Sequence, residues 1–283
     1  MLINFTTSMP FYNTFKPSSI LDPLIRQFEI YHVNWNEDRN APSPFITCLA
    51  NTGQGLYFYT NDPIKVVPAE KLEIPAPHVV VTGPKTKPVG LLFGKDHLML
   101  KVDFQPTGTY RLVGINMEEI VNKGIDATTI GGDQITNVLE KLRNTSSYNK
   151  MIEIVSNFLE RKVLENCRPE EAIDQVASQM LDPFQDHSLQ EWASMACLSL
   201  RQFERSFITR VGLTPKLFIR IVRFEYAMRI KNDFPGKSWK EIAFECGYTD
   251  SSHILKEFKE FAEFPPSQFY LQPTSGYSDF PTG

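Results

Sequence analysis

Ser188–Gly212 reads SLQEWASMACLSLRQFERSFITRVG, and Ser238–Phe264 reads SWKEIAFECGYTDSSHILKEFKEFAEF. The two stretches share one design. Each opens on a serine able to cap a helix and runs on as a short helix with a small residue near its middle, Ala193 or Ala243. Each then turns tightly, at Ala196-Cys197-Leu198 or Cys246-Gly247-Tyr248, and restarts on a hydroxyl cap at Ser199 or Thr249. Small residues are needed where two helices cross steeply and approach closely, so the pattern predicts two helix-turn-helix units. The second caps lie 50 residues apart (249 minus 199). Between the units, Thr214-Pro215 is an N-cap with proline at the first helical position. It opens a long helix through Lys231 that would hold the units at a fixed separation.

The face of each second helix follows from its spacing. After Ser199, the residues Leu200, Phe203, Phe207 and Val211 cluster on one side and are expected in the core. The other side carries Arg201, Gln202, Arg205 and Thr209, with Glu204 beside them. Arginine and glutamine suit bidentate contacts with guanine and adenine edges in the major groove, and Glu204 can accept from cytosine or pair with a nearby arginine. In the second unit Ile254, Leu255, Phe258 and Phe261 are expected inward and Ser252, Lys256 and Lys259 outward, with Ser251 and His253 near the helix start. His253 can meet DNA or pack beside the turn. Lys256 suits a phosphate better than a base. Lys216, at the start of the connecting helix, also suits phosphate.

A net charge of −4 over 283 residues argues on its face against nucleic acid. Affinity follows the local field, however. From Ser199 to Lys231, eight basic residues stand against Glu204 and Glu225, a balance of plus six. Hydrophobic residues at 42% and charged residues at 22% fit a folded globular chain. No apolar run approaches the ~18 to 20 residues of a membrane span, and the N-terminus has no signal-peptide pattern, so a cytoplasmic location is expected. Cys48, Cys167, Cys197 and Cys246 are dispersed without a CxxC pair, which favours buried free thiols.

Up to about Asn122 the chain is rich in proline and aromatic residues, with strand-like runs at Phe45–Leu49, Leu56–Thr60, His78–Thr82 and His97–Phe104. The last alternates, with Leu98, Leu100, Val102 and Phe104 against Met99, Lys101 and Asp103, as a half-buried strand does. A small β-sandwich or barrel would close such strands. Helices follow: one after Gly131-Gly132-Asp133, one from Tyr148 to Leu164, and one from Glu170 to Leu181. The break at Asn166–Pro169 marks the expected junction. The fold class is therefore α+β: a β-rich sensor-like domain with helices over 1–167, an all-α domain over 168–272, and a disordered tail over 273–283.

The segment from Ser188 to Tyr270 resembles the DNA-binding domain of the AraC family. The resemblance rests on Arg201-Gln202-Phe203-Glu204-Arg205-Ser206-Phe207, Gly212-Leu213-Thr214-Pro215-Lys216, Ile242-Ala243, Cys246-Gly247-Tyr248-Thr249-Asp250, Phe258-Lys259 and Pro265-Pro266-Ser267-Gln268-Phe269. It departs at Cys197, where the family commonly has a turn glycine, and in the acid-rich second reading helix. The run His78–Pro84 with Phe104–Gly114 more loosely resembles an uncharacterised sensor-like domain that precedes some such DNA-binding domains.

The resemblance implies a bacterial transcription regulator whose two helices enter the major groove about one duplex turn (~34 Å) apart. Ser251 and His253 fall among that family's reading positions. The implied partners are promoter double-stranded DNA, RNA polymerase, an unidentified small-molecule effector in the N-terminal domain, and a second copy of the chain as a homodimer. No cofactor, metal or membrane is expected. His32, His78 and His97 form no ligand pattern, and neither a catalytic triad nor a phosphate-binding loop is present. The rival reading is a small-molecule-binding or enzymatic protein whose helical C-terminal module binds proteins. For dimerisation, the stripe Met151, Ile154, Val155 and Phe158 is either an interface or packing against the sheet.

Overall fold

The structure, a computed structural model, describes residues 11–34, 45–68, 72–271 and 274–275. The N-terminal half is built on two sheets. The first has the order β1 (Phe11–Phe15), β2 (Ile25–Asn34), β9 (Asp96–Phe104), β4 (Gly55–Tyr59), β7 (Val79–Thr82), β10 (Gly124–Asp126). The second has the order β11 (Thr274–Ser275), β3 (Phe45–Cys48), β8 (Val89–Leu92), β5 (Lys65–Val67), β6 (Ile74–Pro75). Pairing is antiparallel except for β11, which lies parallel to β3. Of the tail expected to be disordered, Thr274 and Ser275 thus pair with Thr47 and Cys48, and the rest lies outside the described residues.

The alternation read in β9 is present, but the strand is covered on both faces. Leu98, Leu100, Val102 and Phe104 point into a core shared with α2 (Thr128–Arg143) and α3 (Tyr148–Asn166). Met99 points the other way, into a second core with Tyr31, Tyr59 and Phe93 between the sheets. Strand β2 is packed likewise, which explains why its apolar residues show no simple period of two. The α3 stripe resolves the interface question: Met151, Val155 and Phe158 are buried in the chain's own core, with Ile154 partly buried against it. That stripe supplies no dimer surface. In α2 the regular helix starts after Gly132, whose φ of 51° and ψ of −140° break the run. A short helix, α1 (Gly108–Val113), ends at Gly114.

The remaining helices are α4 (Ala172–Gln179), α5 (Leu189–Met195), α6 (Leu200–Val211), α7 (Pro215–Asp233), α8 (Trp239–Glu245) and α9 (Ser251–Ala262). Ser188, Ser199 and Ser238 each close a capping box, with Glu191, Gln202 and Glu241. The Thr214 side chain accepts from the Leu217 N–H ahead of Pro215. The cap of α9 is Asp250 rather than Thr249; its carboxylate accepts from the N–H groups of Ser252 and His253. A charged acceptor at the positive end of a helix outcompetes a neighbouring hydroxyl. Phe203, Phe207, Phe218, Phe224, Phe258 and Phe261 fill the common core of these helices, joined by Leu49 and Ala50 from the loop between β3 and β4. Among the described residues, no helix is long and apolar enough to cross a membrane.

Candidate nucleic-acid interface

Helices α5–α6 and α8–α9 form the two helix-turn-helix units, with α7 running between them. On α6, Phe203, Phe207 and Val211 are fully buried and Leu200 is half-buried against the core. The opposite side exposes Arg201, Gln202, Glu204 and Arg205, while Thr209 is half-buried. The local chemistry sorts these further. The Gln202 side-chain oxygen accepts from the Ser199 N–H at 3.1 Å and from its hydroxyl at 2.7 Å, so only the amide nitrogen is left to donate. The Thr209 hydroxyl donates back to the Arg205 carbonyl at 3.2 Å. Arg201 and Arg205 are the long donors on this face.

On α9, Ser252, His253, Lys256 and Lys259 are exposed and Ser251 is half-buried. Leu255, expected inward, is 42% exposed; it sits one residue on from Ile254, turned off the core stripe of Ile254, Phe258 and Phe261. The Ser252 hydroxyl donates to Asp250. Lys216 is exposed on the first turn of α7.

The basic excess from 199 to 231 is only partly a surface field. Arg210 is buried, donating to both oxygens of Asp174 at 3.0 Å and also to Glu171. Lys231 is buried with Nζ bonded to the carbonyls of Pro235 and Lys237. Arg220 clamps α9 to α7: its Nε meets Glu257 at 2.8 Å and its two terminal nitrogens meet Glu260. Two of the acids that make α9 look unsuited to DNA are therefore neutralised from behind. Glu257 and Glu260 lie 37 and 40 residues from Arg220, so no local run of charge marks the clamp.

A cavity of about 150 Å³ lies between the two sheets and α7. Tyr57, Tyr59, Phe93 and Met99 line it from the strand side, and Phe224 and Met228 from α7. Its polar edge carries Glu225, Arg229, Lys85 and the Lys101–Glu29 ion pair (2.9 Å). The Glu225 carboxylate accepts from the Thr52 N–H at 3.2 Å and the Thr52 hydroxyl at 2.8 Å. Desolvation outweighs those two bonds and pushes its pKa up to about 7. The cavity thus has walls from the strands and from α7. The described residues hold no cluster of metal-binding side chains. All four cysteines are free, yet only Cys246 is buried, and Cys197 is exposed.

Residues 192–272 match a family described as a helix-turn-helix domain, and residues 13–126 match a domain of unknown function. The chain is 34% identical over 94 residues to the HTH-type transcriptional activator RhaS of Klebsiella pneumoniae, covering 31% of this chain and 34% of that protein. It is 27% identical over 116 residues to an uncharacterised HTH-type transcriptional regulator of Haemophilus influenzae, covering 41% and 39%. The chain thus spans well under half the length of these relatives. Among solved structures, ToxT from Vibrio cholerae aligns with 87% of this chain and 97% of its own, at 13% identity and a TM-score of 0.44.

Proposed function

We propose that this chain, whose C-terminal part is a helix-turn-helix domain of the AraC type, is a transcription regulator that binds double-stranded DNA sequence-specifically. In this reading α6 and α9 enter successive major grooves. Arg201 and Arg205 contact base edges, and Gln202, Glu204, Thr209, Ser251, Ser252 and His253 flank them. Lys216 and Lys256 contact phosphates. The observation that carries the reading is a repeated, fully capped helix-turn-helix with its arginine-bearing face exposed and its other side committed to one core.

Residues 1–167 are the sensing part and 168–272 the DNA-reading part. The cavity between the sheets and α7 is the effector site. It suits a compact molecule with an apolar body, since about 150 Å³ lined by Tyr57, Phe93, Met99, Phe224 and Met228 accommodates a benzene-sized ring. Polar groups on such a ligand would face Glu225, Arg229 and Lys85. Regulation then consists of an effector favouring one of two arrangements of the reading helices, and so helping or hindering RNA polymerase at a promoter.

Binding of the full-length chain to a random duplex pool, followed by salt titration on the selected sequence, tests the DNA reading. The expected result is one enriched sequence class whose affinity falls steeply as salt rises. Absence of DNA affinity at low salt in a folded sample would leave the rival reading, a protein-interaction module.

A further inference from the structure

The loop joining β3 to β4 touches three helices of the DNA-reading part within five residues. The Ala50 N–H donates to the carbonyl of Phe261, in the last turn of α9, at 3.2 Å. Thr52 donates twice to Glu225, midway along α7. The Gln54 amide donates at 3.3 Å to the carbonyl of Val211, the last residue of α6. The same loop is fastened to the sheets. Asn51 and Lys85 exchange backbone hydrogen bonds at 2.8 Å, and the Phe104 N–H donates to the Gln54 carbonyl at 3.0 Å. The Gln54 amide also reaches the Pro106 carbonyl at 2.6 Å. Thr52 and Gln54 are buried.

We propose that Ala50, Thr52 and Gln54 are positioning residues for DNA reading: by holding the ends of α6 and α9 and the middle of α7, the β3–β4 loop sets the spacing between the two base-reading segments that the protein accepts. This rests on the reading of α6 and α9 as the helices that meet DNA. The physical reason is rotational. One base pair more or less between two subsites moves the second by about 3.4 Å and turns it by roughly a tenth of a turn. A pair of helices fixed from behind cannot follow that displacement, whereas a pair joined by α7 alone has only its own packing to resist it. Residues 48 to 51 and 53 also wall the cavity, so an effector there lies against the loop that holds the helices.

The test uses the full-length chain and a duplex selected by the wild-type protein, remade with one base pair added or removed between the two protected segments. Wild type should favour the selected spacing at least tenfold. Thr52→Val removes the hydroxyl bond to Glu225 at nearly constant volume. It should shrink that preference severalfold while binding the selected spacing comparably. Thr52→Ser should restore the preference. Gln54→Met removes the donor to Val211 and should act in the same direction through α6. A uniform loss at all spacings, an unchanged profile in both variants, or unfolding of both would overturn the positioning role. Failure of wild type to select any sequence would instead overturn the DNA reading itself.

Discussion

Arg210 turns one guanidinium nitrogen toward both carboxylate oxygens of Asp174, each at 3.0 Å, and both side chains are almost completely buried. Glu171 takes the other terminal nitrogen. The arginine therefore belongs to the junction between α4 and α6, not to the surface field. Removing Asp174 leaves a buried guanidinium nitrogen without its carboxylate. Asp174→Ala is expected to lower stability by about 3 kcal/mol or more. Chemical denaturation of the full-length variant checks this, against Arg201→Ala as an exposed control expected within about 0.5 kcal/mol of wild type.

Glu225 gives the stability a definite pH dependence. Its folded pKa of about 7 lies above its ordinary carboxylate value, so between those values the folded state binds more protons than the unfolded state. Stability therefore falls as pH rises through that window and levels off above it. His97 has the opposite sign: burial lowers it to about 4, so its contribution is lost as pH falls from 6.5 toward 4. Urea midpoints of wild type and Glu225→Gln at pH 5 and pH 8 separate the two. Wild type should weaken relative to the variant at the higher pH; a constant difference would mean that Glu225 titrates normally.

The helices were legible because their signals are local. Caps at Ser188, Ser199, Thr214 and Ser238, and apolar residues at helical spacing, sit within a few residues of one another. The engagement of Gln202 was readable too, since Ser199-x-x-Gln202 is a capping-box pattern. Strand β2 was not, because burial on both faces removes the alternation that identifies strands. The contacts that organise the site were the least accessible. Thr52–Glu225 spans 173 residues and Arg220–Glu257 spans 37, and nothing in the flanking sequence marks either pair.

Both turns place a residue with positive φ at the same position, a cysteine in the first unit and a glycine in the second. Gly247 has φ of 68°, and Cys197 adopts φ of 56° without glycine's freedom. A β-carbon there costs about 1 to 2 kcal/mol, partly offset by the greater unfolded-state freedom of glycine. Cys197→Gly should therefore raise stability by about 0.5 to 1 kcal/mol, and Gly247→Ala should lower it by a similar amount. Gly212 is more constrained: at φ of 91° its added β-carbon would lie 2.8 Å from the Met117 carbonyl oxygen. Gly212→Ala should cost about 2 kcal/mol or more. Thermal melts of the three variants order them as stabilised, mildly weakened and clearly weakened; any other order would show that the turn geometry is misassigned.

Arg205 and Lys216 should fail differently when removed. Arg205 stands exposed on the middle of α6, away from Phe203 and Phe207, where a long donor reaches base edges. Lys216 is exposed on the first turn of α7, where the helix dipole favours a phosphate. Arg205→Ala is expected to cost about 1 to 3 kcal/mol on the selected sequence and to flatten base preference at one or two positions. Lys216→Ala should weaken binding to every sequence alike and reduce the salt slope by about one unit. Neither side chain belongs to the core, so both variants should melt like wild type. Affinities for the selected duplex and its single-base variants, taken at several salt concentrations, distinguish the two. If Arg205→Ala lowers affinity uniformly and leaves base preference intact, Arg205 is a phosphate contact and the base-reading face of α6 lies elsewhere on the helix.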